Sequence, residues 1–253
     1  MNIYKRGDVM KKLKKIEEEI KYYDECFNNI SYINKERIIF FINHLKHILF
    51  PKVFKCEYTI KELYIETFEI LAFLGLDNKL EIVDSFFDNL VDIKKLLLKD
   101  IESYKLHDPA CKSVEEVVLL VNSFHAVYVY RIAHLLDTLN VPFIPRILSE
   151  YAHSVTGIDI HPSCKIGENF FIDHGTGIVI GETCIIGNNV SIYQGVTLGA
   201  KSLKEGSLLK GIKRHPTICD NVVIYANATI LGGDTIIKDN SVIPGNAFIT
   251  KSN

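Results

Sequence analysis

The fold is decided by residues 178–198, IVIGETCIIGNNVSIYQGVTL, where an aliphatic residue returns at every sixth position. The same spacing runs through most of the chain after residue 157, and a small or apolar residue usually follows four positions later. The repeating aliphatic residues are Ile160, Ile166, Ile172, Ile180, Ile186, Ile192, Leu198, Ile218, Ile224, Ile230, Ile237, Ile243 and Ile249. A six-residue period of this kind predicts a parallel β-helix, a triangular prism in which three short strands complete one coil.

A short break in the repeat lies within residues 173–177, DHGTG. Eight residues separate Ile172 from Ile180 instead of six, and the glycines permit a backbone corner that a regular coil does not need. Asp159 occupies this corner one coil earlier, so stacking predicts that its carboxylate approaches hydrogen-bonding distance of His174. A carboxylate beside an imidazole holds the ring in one tautomer, as a general base requires. The alternative is that both side chains merely cover a solvated turn.

A longer break covers residues 199–217, GAKSLKEGSLLKGIKRHPT, which must leave the prism at a different corner, between its first and second faces. The loop has one acidic residue, Glu205, and five basic ones: Lys201, Lys204, Lys210, Lys213 and Arg214. Such a loop can meet a polyphosphate or a carboxylate, or it can simply be solvated. Because the loop and His174 leave one chain at different corners, we predict a site between subunits in a threefold arrangement.

The half of the chain before residue 157 has a helical period. Val9, Leu13, Ile16 and Ile20 recur among Lys and Glu at the spacing of an amphipathic helix. Further helical stripes follow, and the resulting fold class is α+β. We expect an all-helical domain over residues 1–156, followed by a β-helix domain over residues 157–253 from which the loop 199–217 extends.

Composition and charge narrow the classes of function. The 253 residues are 47% hydrophobic and carry a formal net charge of −2, so the chain has no global attraction for nucleic acid or an anionic membrane. No apolar run approaches the ~20 residues of a membrane span, and the N-terminus is too charged for a signal peptide. Six cysteines are scattered singly, which indicates reduced thiols. We expect a cytoplasmic protein that uses no metal ion.

Several motifs together resemble one family. They are HDPAC, FHAVYVYRIAH, DIHPSCKIG, DHGTGIVIGE, GVTLGA and KRHPTI. From about residue 95 to the end, the chain resembles serine O-acetyltransferases, which make O-acetylserine from L-serine and acetyl-CoA in cysteine biosynthesis. The resemblance implies a helical domain followed by the left-handed form of the parallel β-helix.

The resemblance also implies how the reaction proceeds. His174 in DHGTG matches the general base of the family, and Asp159 in DIHP matches its orienting partner. His174 then takes the proton of the serine hydroxyl while that oxygen attacks the thioester carbonyl of acetyl-CoA. No cysteine matches a nucleophile position, so we expect direct transfer without an acyl-enzyme.

Further residues match the substrate contacts of the family. Asp108 and Asp173 match acidic residues that hold serine through its ammonium group, and Arg214 and His215 match the residues that meet its carboxylate. The acetyl-CoA channel is matched by Gly199, Ala200 and Ala226. Two departures concern this channel, because the loop is longer than in the best-known enterobacterial form and Ala200 stands where a second glycine is common.

The resemblance extends to assembly and partners. We expect a homotrimer, or a hexamer made of two trimers paired through the helical domain. The family's C-terminal tail, which ends in isoleucine, docks into O-acetylserine sulfhydrylase, whereas this sequence ends at ITKSN. We therefore do not expect that complex here.

Three other functions fit parts of the pattern. An acetyltransferase for another hydroxyl acceptor, such as homoserine or a sugar, would keep His174 and change the acidic and arginine contacts. A γ-type carbonic anhydrase would bind zinc through three histidines between subunits, for which His161, His174 and His215 are the candidates. A catalytically silent scaffold would need none of these residues.

Overall fold

In the computed structural model, a helical half precedes a stack of short strands. The structure describes residues 3–24, 33–55, 58–202, 204, 206–209 and 211–252. Over these residues the helices are α1 (Ile3–Asp24), α2 (Lys35–Leu49), α3 (Ile60–Ala72), α4 (Lys79–Asp88), α5 (Leu90–His107), α6 (Val114–Leu120), α7 (Asn122–Thr138) and α8 (Ile144–Thr156). The strands are β1 (Asp159–Ile160), β2 (Lys165–Ile166), β3 (Phe171–Asp173), β4 (Val179–Ile180), β5 (Ile185–Ile186), β6 (Ser191–Tyr193), β7 (Thr197–Gly199), β8 (Thr217–Ile218), β9 (Val223–Ile224), β10 (Thr229–Leu231), β11 (Ile236–Ile237), β12 (Val242–Ile243) and β13 (Phe248–Ile249).

The strands form the three faces of a prism. The first face has the order β1-β4-β7-β10-β13, the second β2-β5-β8-β11 and the third β3-β6-β9-β12. All of these pairings are parallel, and the repeating aliphatic residues lie in register, as in Ile166 with Ile186 and Ile186 with Ile218. The loop between β7 and β8 therefore leaves at the corner between the first and second faces, as the sequence predicts.

The interior of the prism consists of the repeat itself. Every aliphatic residue of the repeat except Ile249 is buried, and Ile249 is partly buried against the same core. Each isoleucine removed from water in this way contributes roughly 1.5–3 kcal/mol. The six-residue period therefore supplies most of the driving force for coiling.

A ladder of asparagines runs along the corner between the second and third faces. Asn169, Asn189, Asn221 and Asn240 all have positive φ, a conformation that asparagine tolerates better than most residues. Their side-chain amides bond from one coil to the next, with Nδ2 to Oδ1 distances of 2.7, 2.9 and 3.3 Å. The sequence analysis did not identify this corner, although an asparagine three residues after each second-face isoleucine marks it.

The helical half covers the first coil of the prism through α7. Ala126, Val127 and Tyr130 belong to the prism core. The guanidinium of Arg131, 2% exposed, pairs with Asp100 of α5 at 3.0 Å and donates to the carbonyls of Ile166 and Gly167, each at 2.6 Å. This buried junction fixes the position of α5, which ends beside the third face, relative to the coils.

The first helix differs from the expectation in its packing. An amphipathic α1 forms, but the four predicted apolar residues are 41–58% exposed, because no other part of the described chain covers that face. No single described helix is long and apolar enough to span a membrane, although α6 and α7 together, bent by 80° at their junction, would have the length and composition. Of the six cysteines, four are described, all as free thiols; Cys26 and Cys56 lie outside the described residues.

Candidate active site

The corner between the third and first faces carries His174. β3 ends at Asp173, after which His174, Gly175 and Gly177 all take positive φ, of 56°, 95° and 81°. A Cβ added at Gly175 would overlap the side chain of Ile158, so this position requires glycine. Because the two additional residues make the corner protrude, the side chain of His174 is 73% exposed. Backbone in this sparsely populated region is often found at functional sites.

An open cleft of about 320 Å³ joins this corner to the helical half. Its lining includes Asp108, Ser123, Asp173 and His174. Asp108 ends α5, where the following proline stops the helix, and its carboxylate accepts a hydrogen bond from the amide of Ala110 at 2.8 Å. The structure thus brings together three of the predicted site residues, and the two carboxylates that face the cleft suit an ammonium group.

Buried hydrogen bonds support the floor of the cleft. The hydroxyl of Tyr104 donates to Ser123 at 3.1 Å, and the hydroxyl of Ser123 donates to the carbonyl of Ile172 at 2.8 Å. Burial raises the pKa of Tyr104 well above its ordinary range, so the phenol stays a donor. This chain of hydrogen bonds holds the end of α5 and the start of α7 against the strand that leads to His174.

The expected hydrogen bond between Asp159 and His174 is not present. The parallel register stacks Asp159 on Val179 of the first face, which lies after the corner and not at it. The carboxylate nearest to the imidazole is instead Asp173, with 3.8 Å between Oδ1 and Nε2. The error arose because the two extra residues of the corner shift the register, so that residues twenty apart stack here.

A second cluster lies at the corner between the first and second faces, where the long loop rejoins the prism. His215 is 8% exposed, and its Nδ1 lies 3.1 Å from the amide nitrogen and 2.9 Å from the hydroxyl of Thr183. Burial, reinforced by the charge of Arg214, lowers the pKa of His215 to about 4. Arg214 forms an ion pair with Glu182. His215 is therefore neutral at neutral pH.

Within the loop, two lysines have structural partners in addition to the pairing of Arg214 with Glu182. Lys201 pairs with Asp234 at 2.6 Å, and the ammonium of Lys213 donates to the carbonyls of Thr183, His215 and Pro216. Lys204 is exposed, and Lys210 and Glu205 lie outside the described residues. Part of the positive charge of the loop thus holds the loop to the prism, which the sequence alone did not indicate.

The residues expected to line an acetyl-CoA channel are divided between the two corners. Ala200 shares a groove of about 340 Å³ with Arg214, Lys204 and Gly232, and Gly199 pairs with Leu231 at the end of β7. Ala226 follows β9 on the third face, on the side of the prism that carries His174. One chain therefore does not bring all three together.

The same division applies to the candidate zinc ligands. His161 and His215 lie at the corner between the first and second faces, whereas His174 lies at the corner between the third and first. In the part of the chain that the structure describes, no group of three or more His, Cys, Asp or Glu side chains is placed to hold a metal ion.

Known proteins with similar sequences are serine acetyltransferases. A plasmid-encoded serine acetyltransferase of Synechococcus elongatus is 50% identical over 175 residues, which cover 68% of this chain and 54% of that protein, so the match spans about half its length. A serine acetyltransferase of Bacillus pumilus is 43% identical over 155 residues, 61% of this chain and 69% of that protein. No family model matches the chain.

The solved structures that resemble this chain are also serine acetyltransferases. Serine acetyltransferase 1 of Entamoeba histolytica, in complex with L-cysteine, is 34% identical with a TM-score of 0.74, covering 87% of this chain and 84% of that one. The chain belongs to the serine acetyltransferase family. A serine acetyltransferase in complex with CoA is 27% identical with a TM-score of 0.59, covering 85% of this chain and 93% of that one. The predicted α+β fold, a helical domain followed by a left-handed parallel β-helix, is confirmed.

Two residues that were not predicted from the sequence also belong to the candidate site. Thr183 and Gly181 hold and accommodate the ring of His215, since a Cβ added at Gly181 would overlap that ring. Both precede the loop, more than 30 residues before their contacts. In the sequence they belong to Gly181-Glu182-Thr183, which has the spacing of a regular repeat corner. That spacing gave no reason to single out the threonine.

Proposed function

We propose that this chain transfers the acetyl group of acetyl-CoA to the side-chain hydroxyl of L-serine, giving O-acetylserine and CoA. The observation that carries the proposal is the cleft that Asp108, Asp173 and His174 line together. An exposed imidazole beside two carboxylates fits an acceptor that brings both a hydroxyl and an ammonium group. The family supplies the donor, since one of its solved members holds CoA.

In this proposal His174 is the general base. It accepts the hydroxyl proton as the serine oxygen attacks the thioester carbonyl; the carbon–sulfur bond then breaks, and CoA leaves as a thiolate that takes up a proton. Assistance of this type accelerates a reaction by roughly 10²- to 10⁴-fold. The exposure of the ring, 73%, allows it to reach a substrate and to exchange its proton with solvent.

Two carboxylates remain candidates for orienting this ring. Asp173 is its neighbour at 3.8 Å, whereas Asp159 has no hydrogen bond to it in the free chain. Catalytic hydrogen bonds are often long in the absence of substrate and tighten when substrate binds. We assign Asp159 to orienting the base and Asp173, with Asp108, to binding the serine ammonium group.

The serine carboxylate and the rest of the acetyl-CoA site come from the other corner. Arg214 and His215 bind the carboxylate, while Gly199, Ala200 and Ala226 line the channel for acetyl-CoA. Because the cleft of one chain lacks Arg214 and His215, the complete site needs the second corner of a neighbouring subunit. We propose a homotrimer, alone or paired into a hexamer, with three sites per trimer between subunits.

The setting proposed for this reaction is cysteine biosynthesis in the cytoplasm. A solved relative binds L-cysteine, the end product of the pathway that consumes O-acetylserine. We do not propose a complex with O-acetylserine sulfhydrylase.

The first test follows release of the CoA thiol from acetyl-CoA with L-serine, L-homoserine or a sugar as acceptor. We expect release that depends on L-serine and falls by two or more orders of magnitude in His174→Ala. Release that is unchanged in His174→Ala would refute the assigned base. Faster release with another acceptor would replace serine as the substrate.

A second test addresses the position of the site between subunits. His174→Ala and His215→Ala chains are unfolded together and refolded as mixed trimers. If each site combines His174 of one subunit with His215 of the next, about a quarter of the interfaces in a random mixture carry both intact histidines. At serine concentrations below KM, activity in the mixture should therefore rise above the residual activity of either variant refolded alone. A mixture as inactive as its parents would place the site within one chain.

A further inference from the structure

Thr183 holds the dipeptide Arg214-His215 at several points. Its hydroxyl oxygen accepts hydrogen bonds from the amides of Arg214 at 2.9 Å and His215 at 3.0 Å. The same oxygen lies 2.9 Å from Nδ1 of His215, and the Thr183 amide nitrogen lies 3.1 Å from that Nδ1. The Thr183 carbonyl accepts from the ammonium of Lys213 at 2.7 Å. One residue of the second coil thus anchors the end of a loop that returns 30 residues later.

The directions of these hydrogen bonds determine which ring nitrogen carries the proton. A backbone amide can only donate, so the Thr183 amide favours a ring whose Nδ1 is an acceptor. The threonine oxygen already accepts from two amides, which leaves its own proton to point toward the same Nδ1. Both donors therefore favour the neutral ring with its proton on Nε2.

The surroundings of the ring keep it in this neutral form. His215 is 8% exposed, its ring lies over the Cα of Gly181, and Arg214 and Lys213 place positive charge beside it. The negative charge of Glu182 is paired with Arg214. Across the described residues, Nε2 of His215 has no hydrogen-bond partner, so its N–H remains available to an incoming acceptor.

We propose that Thr183 is a positioning residue that fixes His215 in the Nε2–H tautomer, so that His215 contributes a neutral hydrogen-bond donor and not a second base. The acceptor of this hydrogen bond is an oxygen of the substrate carboxylate, next to the charge of Arg214. Only the identity of this acceptor rests on the proposed function; the tautomer is a property of the free protein. Of the two histidines assigned to the site, His174 alone then accepts a proton.

The test compares Thr183→Val, which removes the hydroxyl at nearly constant shape, with Thr183→Ser, which retains it. The matched control is Thr235→Val, at the same corner two coils beyond Thr183, which removes a buried threonine hydroxyl that donates to the Leu231 carbonyl. Protein labelled with ¹⁵N-histidine is examined without substrate, and the His215 signals are assigned by their loss in His215→Gln. The steady-state KM for L-serine and for acetyl-CoA is measured for each variant.

In the wild type, Thr183→Ser and Thr235→Val, we expect the His215 spectrum of an unprotonated Nδ1 and a protonated Nε2. In Thr183→Val we expect a mixture of tautomers, together with a KM for L-serine raised about 10-fold, the size of effect expected when buried hydrogen bonds are lost. The KM for acetyl-CoA should change less than the KM for serine.

Three outcomes would overturn the proposal. They are a wild-type His215 that carries its proton on Nδ1, a Thr183→Val protein with an unchanged His215 spectrum, and a Thr235→Val protein that changes it equally. Failure of the proposed function is distinguishable, because it would appear as wild-type protein without serine-dependent thiol release. The spectra of free protein would still decide the tautomer in that case.

Discussion

The two histidines assigned to the site lie at two corners of one prism, and their surroundings are opposite in character. His174 lies on a protruding corner with positive φ and is 73% exposed, and its Nε2 lies 3.8 Å from the carboxylate of Asp173. His215 lies under a loop, is 8% exposed, and receives hydrogen bonds from two groups of Thr183. A proton acceptor needs access and freedom to turn, whereas a fixed donor needs burial and tethers. The same side chain therefore serves two roles according to the corner that holds it.

The largest effect that this difference predicts is on the exposed histidine. His174→Ala should lower kcat/KM for serine by roughly 10²- to 10⁴-fold, because general-base assistance is lost. His215→Gln, which keeps an N–H donor, should lower it less and mainly through the KM for serine. Steady-state kinetics for both variants, with mass measurement to verify assembly, checks this. A larger loss in His215→Gln than in His174→Ala would reverse the two roles.

The next effect separates the two carboxylates that compete for His174. Asp159→Asn should lower kcat by about 10-fold or more with little change in KM, since an orienting carboxylate stabilises the protonated ring. Asp173→Asn should instead raise the KM for serine, since it removes a charge that faces the ammonium group. Steady-state kinetics of both variants, in which kcat and the KM for serine are measured separately, distinguishes the two roles. The opposite pattern would make Asp173 the orienting residue, in agreement with its 3.8 Å approach to the ring.

A smaller effect is expected at the buried corner. Gly181→Ala places a methyl group where the His215 ring lies, so the ring must move. We expect the KM for serine to rise about 10-fold, a shift of roughly 1.4 kcal/mol in binding, while acetyl-CoA is bound as before. The control is Gly206→Ala in the loop, where an added Cβ meets nothing within 4 Å and the φ of 50° confines the strain to the local backbone. Equal kinetics for Gly181→Ala and wild type would show that the position of the His215 ring does not matter for serine.

The last effect is absent at neutral pH and concerns stability in acid. Burial lowers the pKa of His215 to about 4, below the ordinary value of 6.5 that the unfolded chain retains. Between these values the unfolded state binds the proton and the folded state does not, so folding stability falls as pH decreases from about 6.5 to about 4. From pH 7 to pH 5 the loss should be on the order of 1–2 kcal/mol.

Urea unfolding of the wild type and of His215→Gln at both pH values checks this difference. The wild type should lose more stability than the variant. His125, whose pKa burial and the charge of Lys46 also lower to about 4, should add a similar loss to both proteins. Identical losses in wild type and His215→Gln would mean that the folded protein protonates His215 as readily as the unfolded chain.

The sequence predicted the prism because each six-residue repeat corresponds to one face of it. Each aliphatic residue points inward once per face, so the spacing of Ile180, Ile186 and Ile192 specifies three strands and two corners without any knowledge of partners. The break at Asp173–Gly177 was recognisable for the same reason, as a departure from the period. The cleft followed less directly, because only the family motif, and no spacing, connected Asp108 with His174.

The remaining features depend on contacts that no local pattern encodes. Thr183 meets His215 across a loop whose length the repeat does not constrain. Asp159 was placed at the corner although it lies just after it on the first face, because the stacking of an enlarged corner depends on which residues absorb the extra length. The uncovered face of α1 shows a third limit, since amphipathic spacing predicts that a helix has an apolar side and not what covers it.

The junction at Arg131 has a consequence for how the prism assembles. Each interior coil is bonded to one coil below and one above, but the first coil has no coil beneath it. Its carbonyls at Cys164, Ile166, Gly167 and Ile172 are instead bonded by Tyr130, Arg131 and Ser123 of α7. In a stack of this kind each unit contacts only its neighbours, so the end unit needs a cap. The helical half is that cap: α7 supplies, at the lower end of the prism, the hydrogen-bond donors that a preceding coil would otherwise supply.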